Sequence, residues 1–110
     1  MEIKVIDVPS NLNIEKTSEF RNEIYNALEA NLKNIVIDFS NCDFIDSAGL
    51  GVLVSSYKKA MEQEGNLKLA AIDNAKVFKI FQLTRLDQVF EIYPTLEEAI
   101  NSFEWDYQNC

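Results

Sequence analysis

Four β-rich runs alternating with four helical patterns predict an α/β domain: a mostly parallel four-stranded sheet in βαβαβαβα order, with helices packed on it. Two observations carry this class. Apolar residues change period along the chain, from near-continuous runs to a 3.6-residue repeat and back. The links between these segments are short, so each helix must cross back over the sheet before the next strand begins. At 110 residues the chain has room for one core and no second domain.

Taken in order, residues 2–8 form a β-rich run closed by Pro9, which has no N–H to donate to a ladder. From 15 to 32, Phe20, Ile24, Ala27, Leu28 and Leu32 recur on one face of a helix, with Asn13 or Thr17 as its cap. IVIDF, residues 35–39, is the nearly continuous apolar run that a strand covered on both faces requires. A second helix starts near Ser47, sets Leu50, Leu53, Val54, Tyr57, Ala60 and Met61 on one side, and ends at Gly65. A third strand spans 67–72. Asp73 then caps a short helix through Leu83, with Val77, Ile80 and Phe81 facing inward. Residues 89–93 read as the last strand, stopped by Pro94. Thr95 and Glu98 make a capping box before a final helix that turns Leu96, Ala99, Ile100 and Phe103 to the core. The domain is expected to occupy residues 1–104, with 105–110, WDYQNC, as a C-terminal tail. Nothing local fixes Trp105 on the body, and Cys110 reads as a loose terminal residue.

Composition excludes several function classes. The balance of 18 Asp and Glu against 10 Lys and Arg leaves a net charge of −8, which repels nucleic-acid phosphates and anionic membrane surfaces. No apolar run approaches the roughly 20 residues of a membrane span, and MEIKVIDV lacks the basic start and apolar stretch of a signal peptide. A cytoplasmic protein is expected. Cys42 and Cys110 have neither metal-ligand spacing nor the density of a disulfide scaffold. The chain has no histidine, which removes Ser-His-Asp and Cys-His nucleophiles and the common His-containing zinc sites. Carboxylate chemistry, by Asp38, Asp43 or Asp46, is the catalysis that remains open, and no cofactor or metal is expected.

The segment DFIDSAGLGVLVSSYKKA, residues 43–60, lies where the second strand gives way to a helix. As a dinucleotide turn it fails: Gly49 and Gly51 supply two glycines of GxGxxG, but Val54 holds the third place and the approach from the strand is long. No Gly-Lys-Ser or Gly-Lys-Thr provides a phosphate loop. A receiver-like acceptor at Asp38 lacks the acidic cluster that holds magnesium, since the first strand offers only Asp7. Ser47 remains, at the N-cap or first turn, with small Ala48, Gly49 and Gly51 keeping the surface around its hydroxyl low. A phosphate there gains from the helix dipole, so the fold tolerates it while the surface changes. An ordinary capped helix start explains the same residues.

NCDFIDSAGLGVLVSSYKKA, with IVIDF before it and GNLKLAAI after it, resembles the anti-sigma factor antagonists (anti-anti-sigma factors) of the STAS domain family. The likeness runs from about residue 12 to residue 100, and LTRLDQVFEIYPTLEEAI matches the family's usual ending. The resemblance implies a STAS-like fold and a phosphorylation-controlled partner-switching protein that is not itself an enzyme. Unphosphorylated, it would bind an anti-sigma factor that is a GHKL-type serine kinase and so release a sigma factor. Phosphorylation of Ser47 would break that capture, and a PP2C-type phosphatase would restore it. The alternatives are a non-catalytic STAS scaffold and a regulator in a partner-switching pathway that does not end in a sigma factor.

The chain departs from the family pattern in three places. Ala48 follows the serine where many members have Ser or Thr. Ser10, Asn11, Leu12 and Asn13 replace a Gly-acidic-Leu-Asp loop, so Asn13 stands where relatives carry a carboxylate near the phosphorylation site. Only one strand fits before Asn11, where the family commonly opens with a hairpin, and the barer sheet edge invites another chain. The expected partner face combines Asn11, Asn13, Asp43, Asp46, Ser47, Ala48, Gly49, Gly51, Val52 and Ser55. Ser56 and the residues up to Ile14 lie beside it, and Val52 is expected to look into solvent. Lys58 and Lys59 read as a solvated helix end. A stable complex would bury about 1,200–2,000 Å², more than this turn alone. The free protein is expected as a monomer or weak dimer.

Overall fold

The computed structural model describes residues 2–108. Its main sheet holds β1 (Lys4–Asp7), β3 (Asn34–Asp38), β5 (Asn66–Ala70) and β6 (Ile92–Tyr93), all parallel and in that spatial order. Between them run α1 (Thr17–Glu29), α2 (Ser47–Glu62), α3 (Ala75–Leu83) and α4 (Leu96–Gln108). The βαβαβαβα order expected of the main elements is therefore present. Two further strands, β2 (Asn11–Leu12) and β4 (Phe44–Ile45), pair with each other in a separate parallel ladder that sequence reading missed.

The alternation of β3 explains the layers. Ile35 and Ile37 point to one face, where α1, α2 and α3 bring Phe20, Ile24, Leu28, Leu53, Val77 and Phe81. Val36 points to the other, which α4 covers with Ala99 and Phe103. Both faces are dry, which is why the run reads as continuous. Register follows from this two-sided burial, with Ile6 beside Ile37 and Ile37 beside Leu69. Edge-on rings of Phe39, Phe81, Phe90 and Tyr57 extend the larger core under α3.

On the α4 side lies Lys68, fully buried. Its ammonium donates to Ser102 Oγ at 2.9 Å and to Asp106 Oδ2, with Glu91 Oε1 at 3.7 Å and the Phe103 ring centre at 4.3 Å. A charge this deep is tolerable only when paired and hydrogen-bonded, so these contacts bind the end of α4 to the sheet. Residues 105–108, expected within a tail of undetermined state, continue that helix. Cys110 lies outside the described residues.

Several local expectations need correction. Asn74, not Asp73, caps α3, its Oδ1 accepting from the Lys76 and Val77 N–H groups. α2 stops at Glu62 before Gly65, which is needed where the chain passes Lys33: an added Cβ would lie 2.2 Å from the Lys33 carbonyl oxygen. The strand expected over 89–93 shrinks to Ile92–Tyr93, because residues 86–88 form a 3₁₀ turn after left-handed Arg85. α1 begins at Thr17, later than residue 15. Neither expected cap serves it as a side-chain N-cap: Lys16 holds that position without a side-chain bond. Asn13 Oδ1 instead closes the turn just before it on the Glu15 and Lys16 N–H groups.

Candidate functional site

The turn before α2 is built from two distant stretches. After β3, Asp38 Oδ1 accepts from Ser40 N–H at 2.9 Å, so this half-buried carboxylate is spent on a local turn. The chain then enters β4, where Phe44 faces out and Ile45 faces in. β2 shows the same alternation, with Asn11 out and Leu12 in. Pairing sets Asn11 against Phe44 and Leu12 against Ile45, so the two apolar residues close the core beneath the site. Ser10 carbonyl accepts from the Asp43 and Phe44 N–H groups at 2.8 and 3.2 Å and extends the tie.

Asp46 fastens this assembly. It is the N-cap of α2, and its Oδ1 accepts from the Ala48 and Gly49 N–H groups at 3.0 and 3.2 Å. Its Oδ2 accepts from the Ile14 N–H at 3.1 Å, across 32 residues of sequence. One carboxylate thereby satisfies two orphan donors of the helix and anchors the loop before α1.

Ser47 follows as the first residue of α2 and is exposed. Among the described residues its hydroxyl has no hydrogen-bond partner. Two apolar side chains stand out around it: Ile14, whose N–H Asp46 holds, is 73% exposed and Phe44 is 48% exposed. Sequence reading set the loop up to Ile14 beside the face but did not single out Phe44. The signal lay in the out-in alternation of Phe44-Ile45, too short for a strand to be recognised without its partner.

The β2–β4 ladder brings Asn11, Asn13, Asp43, Asp46 and Ser47 to one region. Asn11 and Asp43 are exposed, while Asn13, Asp46 and Ala48 are half-buried. Gly51 and Ser55 are exposed one and two turns along α2, and Tyr25 donates to Ser55 Oγ at 3.3 Å. Four expectations change. Gly49 is buried beneath the turn rather than part of its open surface, since a Cβ there would meet Leu12 and Ile45 at 2.9 Å. Val52 is half-buried against the core instead of looking into solvent. Ser56 is fully buried, its hydroxyl unpartnered among the described residues, because it lies on the same face of α2 as Leu53 and Ala60. Lys59 is half-buried with its ammonium 5.4 Å from the Tyr25 ring centre, so of the two lysines Lys58 alone is open to solvent.

Beneath the turn, burial pushes the Cys42 thiol above its ordinary value, and its Sγ donates to the Phe44 carbonyl at 3.4 Å. No group of acidic, cysteine or histidine side chains among the described residues is arranged to hold a metal ion. No helix of the described residues is long and apolar enough to cross a membrane.

Fold and turn together define a small parallel α/β domain that presents an exposed serine at a capped helix start. The chain belongs to the STAS domain family, whose model matches residues 1–99. It is 34% identical over 90 residues to a Thermotoga maritima protein that carries an anti-sigma factor antagonist name, covering 81% of this chain and 79% of that one. A crystal structure from the same organism, of a protein with the same antagonist name, superposes with a TM-score of 0.80 at 32% identity, over 89% of this chain and 86% of its own. The crystal structure of an anti-sigma factor antagonist from Mycobacterium paratuberculosis gives 0.81 at 26% identity, over 91% and 84%.

Proposed function

We propose that the chain is an anti-sigma factor antagonist that works by partner switching at Ser47. With Ser47 unmodified, the face made by Ser47, Ile14, Phe44, Asn11 and Asp43 captures an anti-sigma factor that is also a serine kinase of the GHKL type, and a sigma factor is released. Transfer of a phosphoryl group to Ser47 ends the capture, and a PP2C-type phosphatase reverses it. The protein is then a substrate and a partner, and catalysis belongs to others.

The observation that carries this reading is the position of the Ser47 hydroxyl, exposed at the head of α2 beside a cap already filled. Asp46 occupies the Ala48 and Gly49 N–H groups. A phosphate of about −1.5 to −2 charge is therefore not drawn into the helix end and stays on the face, next to Ile14 and Phe44. A partner that covers those two side chains would have to desolvate the new anion, which costs several kcal/mol without a counter-charge.

The test is a paired capture from source-cell extract with wild type and Ser47→Asp as baits, after circular dichroism shows both folded. Recovery of a serine kinase by wild type alone supports the switch. Equal recovery by both baits overturns it and favours a constitutive scaffold.

A further inference from the structure

A groove of about 870 Å³ opens beside the last turns of α4, at the amino ends of β1, β3 and β5. Ser47 follows the carboxyl end of β3, so the five-residue strand, about 16 Å long, separates the two. One wall of the groove is aromatic, formed by Phe103, Trp105 and Tyr107. Trp105 is 65% exposed and Tyr107 73%. Glu2 and Glu64 place two carboxylates on the lining against the one ammonium of Lys33. Asp106 also lines it, with Oδ2 held by Lys68. α4 carries Glu97, Glu98 and Glu104 as well and has no lysine or arginine. Gly65, also on the lining, passes so close to Lys33 that an added Cβ would meet its carbonyl oxygen.

We infer that this groove is a second docking site and that it takes a basic segment of a partner protein, a short extended stretch bearing arginine or lysine. Aromatic faces and carboxylates recognise the same group. A guanidinium stacks on an indole or phenol ring while its N–H fork reaches a carboxylate. Trp and Tyr are also the side chains that most often anchor protein contacts. An acidic or phosphorylated segment meets a body of net charge −8. An apolar segment would strip water from Glu2 and Glu64 without replacing it. Because the groove and Ser47 lie at opposite ends of the strands, both sites can be filled at once, and the state of Ser47 leaves the groove unchanged.

Trp105 is the only tryptophan in the chain, so its emission reports on this site alone. The probe is an end-blocked octapeptide of alternating arginine and serine, and its control alternates glutamate and serine. A saturable change in Trp105 emission is expected with the basic peptide only, weakening as salt rises from about 50 to about 500 mM. Glu64→Asn removes a charge at a left-handed position, φ 64°, that asparagine adopts more readily, so the variant keeps its fold. Glu64→Asn and Tyr107→Ala should each weaken binding about threefold, and Ser47→Asp should not alter it. The inference is overturned if the basic peptide gives no saturable change or if the acidic control binds equally. It is also overturned if neither groove variant weakens binding, or if emission follows protein concentration without peptide, the sign of a second copy in the groove.

Discussion

At the scale of single residues, Asp46 shows how one carboxylate can hold two parts of a site. Replacing it with alanine removes a helix cap, worth about 1–2 kcal/mol, and leaves the Ile14 N–H without its acceptor. Asp46→Asn separates the two duties, because an amide oxygen can still cap the helix. In that variant amide hydrogen exchange should quicken at Ile14 while Ala48 and Gly49 stay protected; equal loss at all three would show that the cap and the loop tie cannot be divided. Ser56 gives the opposite case, a buried hydroxyl with no partner among the described residues. Ser56→Ala removes an unsatisfied polar group at little change of volume. It should raise stability in denaturant titration by about 1 kcal/mol. For the face itself, Ile14→Ser should abolish kinase capture with little change in melting temperature, since the side chain lies mostly in water.

At the scale of elements, α2 carries two glycines with different reasons to be there. Gly49 faces Leu12 and Ile45, the inward residues of the β2–β4 ladder, at a distance no Cβ could keep. Gly51 has open space on its side. Gly49→Ala should therefore cost about 1–3 kcal/mol from overpacking and pull the ladder apart. Gly51→Ala should stabilise the helix by about 0.5–1 kcal/mol, and chemical denaturation of the pair would test both signs. This contrast marks what the sequence could disclose. Helices and long strands were legible because IVIDF and the repeat of Phe20, Ile24, Ala27 and Leu28 record burial directly. The Ser47 turn was legible as a helix start, since Asp and Ser before small residues state a capping preference. Strands of two residues have no period of their own, so β2 and β4 were hidden. With them went the exposed Phe44, the covering of Gly49, and the second duty of Asp46. Ser56 was misplaced for a related reason, since its hydroxyl suggests water while its position, three residues from Leu53, dictates the core.

At the scale of the whole molecule, one buried and one half-buried acid set a response to alkali. Burial pushes the Cys42 thiol above its ordinary 9.0 and the Tyr93 hydroxyl above its ordinary 10.0. The folded state thus holds these protons more tightly than the unfolded chain. The stability this brings is complete below the unfolded values and is lost as pH rises through the raised folded ones. Melting temperature should fall as pH climbs above about 9, and Cys42→Ala should soften the first part of that fall. A fall of equal steepness in the variant would assign the effect to other groups. The tie from Asp46 to Ile14 also governs when the molecule can act. It joins the segment before α1 to the one after β3, so the face around Ser47 does not exist in any stretch of chain emerging from a ribosome until α2 has followed and folded back. Under the partner switching proposed for Ser47, a partner that captures this face would count only finished molecules, and unfinished or damaged copies would drop out of its tally.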